Sequence, residues 1–153
     1  MENNSDIMQQ YIVFKLDEQH YGLNIQYIQI IEKMTSIMIV PQGPPSVEGV
    51  MNLRGEIIPV VNLRKQFEME EKPHGDKTRI IIVKNDEGMV GLIVDQVKEV
   101  VTITNDQIET VQNVQGKMKT SDILGVGKVN DQIVTLLNLE IIIQDAFVSD
   151  DAS

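Results

Sequence analysis

Cysteine is absent from the 153 residues. That excludes disulfides, thiolate catalysis and Cys-ligated zinc or iron–sulfur centres. Histidine is limited to His20 and His74, with no metal-binding spacing between them, and both are expected at the surface. No G-x-S-x-G elbow, G-x-G-x-x-G turn or Walker A loop is present, and Gly125-Val126-Gly127 reads as a flexible strand entry. The longest apolar runs, such as Ile80 to Val83, span only a few residues and cannot cross a bilayer. The start, MENNSDIMQQ, has neither the basic end nor the apolar stretch of a signal peptide, so a soluble cytoplasmic protein is expected. Positive charge is scarce. Thirteen Lys and Arg face 23 Asp and Glu, for a net charge of −10, which argues against binding phosphate backbones.

Alanine occurs only at 146 and 152, whereas Ile occurs 21 times and Val 18 times. β-Branched side chains suit a pleated surface and lose freedom in helices, while alanine is the best helix former. A mainly β fold follows. Tyr11, Tyr21, Tyr27, Phe14, Phe67 and Phe147 are the whole aromatic set, so aliphatic side chains must fill the core, as in small barrels or a sandwich. The length suits one domain or two very small ones.

The chain is two related halves. At an offset of 69, Tyr11–Ile31 lies over Ile80–Val100, with matches at Lys15/Lys84, Asp17/Asp86, Glu18/Glu87, Gly22/Gly91 and Leu23/Leu92. At an offset of 76, Gly49–Arg64 lies over Gly125–Glu140, with matches at Gly49/Gly125, Val50/Val126, Ile57/Ile133, Asn62/Asn138 and Leu63/Leu139. Two blocks in the same order favour duplication over chance.

Each half reads as strand, turn, strand, short helix or bend, strand and hairpin. In the first half a strand over 11–16 turns at Asp17-Glu18-Gln19 and returns over 20–25. Asn24 is placed to cap a short helix. Ile37–Val40 is a short strand, Pro41–Pro45 a loop and Ser46–Glu48 a helical turn. Strands over 50–53 and 57–62 form a hairpin around Arg54-Gly55, and Asn130-Asp131 stands at the equivalent tip of the second half. Pro59 belongs at an edge or where pairing stops. Lys65–Lys77 is the linker between halves, Gln112–Ser121 a second polar loop, and Glu140–Phe147 a short amphipathic helix. Five strands per half make two small barrels, with the cleft between them as the natural binding site.

The acidic runs, Glu68/Glu70/Glu71, Asp86-Glu87 and Asp150-Asp151, read as solvated charge. Asp95 interrupts the apolar segment 91–97 and is expected either on a solvent-facing strand position or paired with a cation. Arg54 is either an ordinary turn arginine or a planar fork pairing with a carboxylate across the cleft. With no visible active site, a binding or scaffolding protein is favoured over a small enzyme using Asp95 and Arg54. It is also favoured over a barrel that binds single-stranded nucleic acid, which would need exposed aromatics and positive potential.

Residues 47–63, VEGVMNLRGEIIPVVNL, resemble the signature of the CheW family of chemotaxis coupling proteins, close to G-V-x-N-L-R-G-x-I-x-P-V-x-D/N-L-R and met here from Gly49 to Arg64. Tyr21-Gly22-Leu23-Asn24-Ile25 and the stretch 90–101 are also similar to the family. The resemblance covers about residues 10–145. It implies two SH3-like five-stranded barrels with a C-terminal helix, forming one domain over 10–147 between flexible tails at 1–9 and 148–153. The two repeats, 11–64 and 80–140, would then be its subdomains. It further implies a non-catalytic adaptor, without cofactor or metal, recruited to membrane receptor arrays. Such an adaptor joins the regulatory domain of a CheA histidine kinase to the cytoplasmic tip of chemoreceptors and neither binds nucleic acid nor inserts in the membrane. Carried over by position, Ile28, Gly49, Arg54, Gly91, Val97 and Val100 would form the receptor groove. Exposed Ile58 and Val60 would meet the kinase. Where the family often has an acid this chain has Ile30, and Glu32 is the substitute partner expected for Arg54.

Overall fold

The computed structural model describes residues 8–111 and 118–147. Most of the expected polar loop at 112–121, and both tails apart from residues 8 and 9, therefore lie outside the described residues. Eleven strands are formed: β1 (Met8–Leu16), β2 (Gln19–Asn24), β3 (Ile28–Lys33), β4 (Val47–Leu53), β5 (Glu56–Asn62), β6 (Arg79–Asn85), β7 (Gly88–Val94), β8 (Gln96–Thr104), β9 (Ile108–Glu109), β10 (Ile123–Val129) and β11 (Gln132–Leu137). Two short helices, α1 (Leu63–Gln66) and α2 (Leu139–Ala146), follow β5 and β11 at the offset of 76 seen in the sequence.

Local signals account for the junctions. The Asn24 side chain accepts from Gln26 N at 3.0 Å and caps a single 3₁₀ turn, Ile25–Tyr27. Asn62 and Asn138 cap α1 and α2 in the same way. At the two hairpin tips Arg54 and Gly55 have φ of 52° and 91°, and Asn130 and Asp131 have 50° and 65°. Two successive positive φ values give the turn whose twist matches paired strands.

The strands make two sheets, ordered β8-β1-β2-β11-β10-β9 and β3-β6-β7-β5-β4. Replacing β1, β2, β8, β10 and β11 by their repeat partners β6, β7, β3, β4 and β5 converts the first order into the second. The architecture is the expected pair of SH3-like barrels, but neither barrel is built from one half of the chain. Each combines the first hairpin of one half with the later strands of the other: β3, β4 and β5 join β6 and β7 in a five-stranded sheet, whereas β8, β10 and β11 join β1 and β2 with the two-residue β9 as a sixth strand beyond the expected five. The cause is local. The Asn24-capped turn carries β3 away from its own hairpin and onto β6. At the equivalent junction the Asp95 N–H donates to the Lys15 carbonyl oxygen at 3.1 Å, and β8 pairs with β1.

The pattern of burial follows from this exchange. Tyr11, Val13, Val101, Ile103, Val134 and Leu136 fill one barrel. Met51, Ile58, Val60, Ile80, Ile82 and Ile93 fill the other. The third and largest cluster lies between the barrels. It joins Ile12, Phe14, Leu16 and Leu23 of one sheet to Val61, Ile81, Val83 and Leu92 of the other, under Leu139 and Ile142 of α2. Tyr21 stacks between Phe14 and Phe67 there, at centroid distances of 5.7 and 6.0 Å.

Two expectations are corrected around β4. Ser46–Glu48 is not a helical turn, because β4 already pairs from Val47 with Val61. Ile37–Val40 contributes only the bridge Met38–Val50. Pro59 stands opposite Val50, one residue before β5 begins to pair with β7. It therefore lies where pairing stops and not on an edge strand.

Candidate binding surface between the barrels

The outer strands of the two sheets, β3 and β8, are repeat partners, and both are bulged. The register on β6 shifts between Ile28 and Ile30, and the register of β8 on β1 shifts between Val13, which faces Glu99, and Phe14, which faces Val97. A bulge reverses the alternation of side chains beyond it. Val97 and Val100 thus share one face, beside Phe14 and Ile12 of the shared core. Ile28 and Ile31 share the equivalent face, beside Val83 and Ile81. Ile28, Ile31 and Val97 are half-buried against the shared core, together with Ile25 and Tyr27. Val100 is 52% exposed. The result is an apolar strip contributed symmetrically by two edge strands. Ile31 is absent from the six groove positions named from the sequence, although the repeat places it 69 residues before Val100.

The other named residues scatter. Gly49 is buried at a bulge in β4, where a Cβ would stand 2.1 Å from the Met38 carbonyl oxygen. Gly91 is buried in β7, where a Cβ would stand 2.8 Å from Ile80 Cγ2. Both serve packing from within the fold. Arg54 is exposed at its hairpin tip, and neither it nor Glu32 makes an ion pair among the described residues. The expected Arg54–Glu32 pair is corrected on that ground. Arg54 projects from a left-handed turn after β4, while Glu32 lies on β3, the opposite edge of the sheet order. The expected exposure of Ile58 and Val60 is corrected as well. They are 1% and 0% exposed and fill a barrel, whereas Ile57 is 63% exposed. The alternation along β5 turns Ile58 and Val60 inward and Ile57 outward.

The arginine that does order the fold is Arg64, buried in the first turn of α1. Its Nε donates to Asp95 Oδ1 at 2.9 Å, and its Nη2 reaches Asp95 Oδ2 and Asp17 Oδ1, each at 2.5 Å. Its Nη1 donates to the Glu70 carbonyl oxygen at 2.6 Å. The Asp17 N–H closes the network on Asp95 Oδ2 at 2.7 Å, and Lys72 Nζ reaches Asp17 Oδ1 at 2.9 Å. The hydrogen bonds that Arg64 donates to Asp95, and then to Asp17, hold its pKa above its ordinary value. Hydrogen bonds from Lys72 and then Arg64 lower that of Asp17. Burial alone would raise Asp95, but the bonds from Arg64 and the Asp17 N–H outweigh it, and its pKa is lowered. The cation expected for Asp95 is thus Arg64. The network ties the β1–β2 turn, α1 and the β7–β8 junction at the seam of the barrels. Its carboxylates are satisfied, which suits a structural clasp and not a proton-transfer site. Among the described residues no group of three or more His, Asp or Glu is arranged to hold a metal ion.

A family model described as the CheW-like domain matches residues 10–147. The chain belongs to the CheW-like family. Curated relatives include the chemotaxis protein CheW of Thermotoga maritima, 32% identical over 152 residues, or 98% of this chain and 99% of that one. The chemotaxis protein CheW of Bacillus subtilis is 34% identical over 128 residues, 84% of this chain and 80% of that one. Among solved structures, the scaffolding protein TtCheW of Thermoanaerobacter tengcongensis matches with a TM-score of 0.82 and 34% identity, over 93% of this chain and 92% of that one. The CheW-like fold and the interlocked barrels described above therefore agree, and among the described residues no helix is long and apolar enough to cross a membrane.

Proposed function

We propose that this protein is a non-catalytic chemotaxis adaptor that couples transmembrane chemoreceptors to a CheA-type histidine kinase and is held in receptor arrays through those contacts. The observation that carries the reading is the symmetric strip of Ile28, Ile31, Val97 and Val100 over the shared core, in a chain of the CheW-like family. Its two edge strands offer apolar anchors at matched positions, which suits a helical receptor tip laid between the barrels. Arg54 adds an exposed guanidinium free to pair with a partner carboxylate. Gly49 and Gly91 support the surface from inside. With Ile58 and Val60 buried, the kinase contact moves to the edge at β4. Met38, which bridges to Val50 on the outer side of β4, and Ile39 are exposed there and offer an apolar centre for the homologous barrel of the kinase regulatory domain.

The test is calorimetric titration with the regulatory domain of a CheA-type kinase from the same cell. Saturable one-to-one binding supports the adaptor reading. Val97→Asp and Arg54→Ala should then bind the kinase normally and fail to place it under receptor control, while Ile39→Asp should lose the kinase. No binding at about 100 µM, where a free energy near −5.5 kcal/mol would still register, overturns the reading.

A further inference from the structure

The pseudo-symmetry that builds the barrels fails at one place. Beside Arg64, the first half sets the acidic turn Asp17-Glu18 against the start of α1. The second half sets Asp86-Glu87 against the start of α2, but the residue equivalent to Arg64 is Glu140. Asp86, Glu87 and Glu140 all line one cavity of about 490 Å³. Where the first half supplies its own guanidinium, the second presents a third carboxylate. None of the three makes an ion pair among the described residues.

This cavity opens into an apolar groove. Asn85, Glu87, Ile143 and Phe147 line both it and a second cavity of about 440 Å³, which runs over Pro59 and Met89 to Ile57. Ile57 is 63% exposed and Phe147 is 39% exposed. Glu56 lies on the same groove and is also unpaired. One wall is therefore apolar, and the four charges lining the groove are all acidic.

We propose that this groove, between α2 and the β5 and β6–β7 segments, docks a basic and apolar segment of a partner protein. The partner's arginine takes the place that Arg64 fills in the other half, and an apolar side chain beside it seats against Ile57 and Phe147. Charge complementarity selects this occupant. Phosphate-bearing partners and anionic membranes are repelled by the four carboxylates. A second copy of this chain, at −10, brings predominantly the wrong sign, and the chain's own sequence after Phe147 carries Asp150 and Asp151. Guanidinium suits the site better than ammonium, because its fork pairs with two carboxylates at once, as Arg64 does with Asp17 and Asp95. The proposal stands apart from the coupling reading, since it uses neither the Ile28–Val97 strip nor Met38 and Ile39.

The probe is a twelve-residue peptide with arginines four positions apart flanking a phenylalanine, titrated into the ¹⁵N-labelled full chain. Shifts should gather at residues 85–89, 140–147 and 57. Exchanging the arginines for lysine should weaken binding several-fold, and exchange for glutamine should abolish it. Glu87→Gln with Glu140→Gln should weaken it at least tenfold, and Ile57→Ala, an exposed site where the fold is not at risk, at least threefold. Shifts centred on Ile28 and Val97, equal binding of the glutamine peptide, or unchanged affinity of the variants would overturn the proposal. So would self-association lost on Ile57→Ala, which assigns the groove to a second copy, or co-sedimentation with vesicles of anionic lipid.

Discussion

Arg64 joins three segments that are far apart in sequence, and its loss leaves Asp17 and Asp95 facing each other without a cation. Breaking a buried pair costs about 3–5 kcal/mol. Here the two carboxylates keep 35% and 30% of their side-chain exposure, so solvent relieves part of that, and Arg64→Ala should destabilise by about 3 kcal/mol in urea unfolding. The same network fixes an acid response. The folded pKa values of Asp17 and Asp95 lie below the ordinary 3.8, so as pH falls the unfolded chain takes up protons first. Stability from the clasp is complete above about pH 4 and is lost as pH falls through the depressed folded values. Melting temperature should therefore drop as pH falls below about 4 and keep dropping through the depressed folded values, and Asp95→Asn should flatten that drop while lowering stability at neutral pH. Asp95 was legible in the sequence as an acid inside an apolar run that wanted a cation. Arg64 was not, because it lies 31 residues away at the end of a motif whose other arginine, Arg54, stands more conspicuously at a turn tip. Only tertiary distance tells the two apart.

At the scale of elements, the β5 hairpin separates what local pattern can and cannot reveal. The turn residues announced both hairpin tips, since positive φ is a local demand. The face of each strand was harder, because a run such as Ile57-Ile58-Pro59-Val60 is apolar at every position and its alternation does not say which side meets the core. Only the folded barrel puts Ile58 and Val60 inside and Ile57 outside. Ile58→Ala should cost about 3 kcal/mol as a buried large-to-small change, and Ile57→Ala should stay within about 0.5 kcal/mol, which equilibrium unfolding distinguishes directly. Gly49 makes the bulge in β4 possible. Alanine there meets the Met38 carbonyl, which also accepts from Val50 N at 2.8 Å. Gly49→Ala should release that bridge and cost about 2 kcal/mol. Faster amide exchange at Met38 and Val50, with the rest of the sheet unchanged, is the expected signature, and uniform acceleration across all strands would contradict it.

For the whole molecule, the duplication was legible and the exchange was not. Matching segments at offsets of 69 and 76 reveal two equivalent halves, but nothing local says whether β3 returns to its own hairpin or crosses to the other. The crossing has an energetic consequence. A half cut at the 65–77 linker retains β1 and β2 without β8, β10 and β11, and retains β3, β4 and β5 without β6 and β7. Each fragment thus holds two incomplete barrels and half of the shared core, with long unpaired strand flanks. Fragments 1–75 and 76–153 should each lack a cooperative melt and should recover native β-sheet circular dichroism only when mixed in equal amounts. The intact chain should unfold in a single transition, seen identically by tyrosine fluorescence from Tyr11 and Tyr21 and by far-ultraviolet dichroism, because no barrel can open while keeping its own strands. Two resolved transitions, or a fragment that melts cooperatively alone, would show that the halves are independent units and that the interlock contributes little to stability.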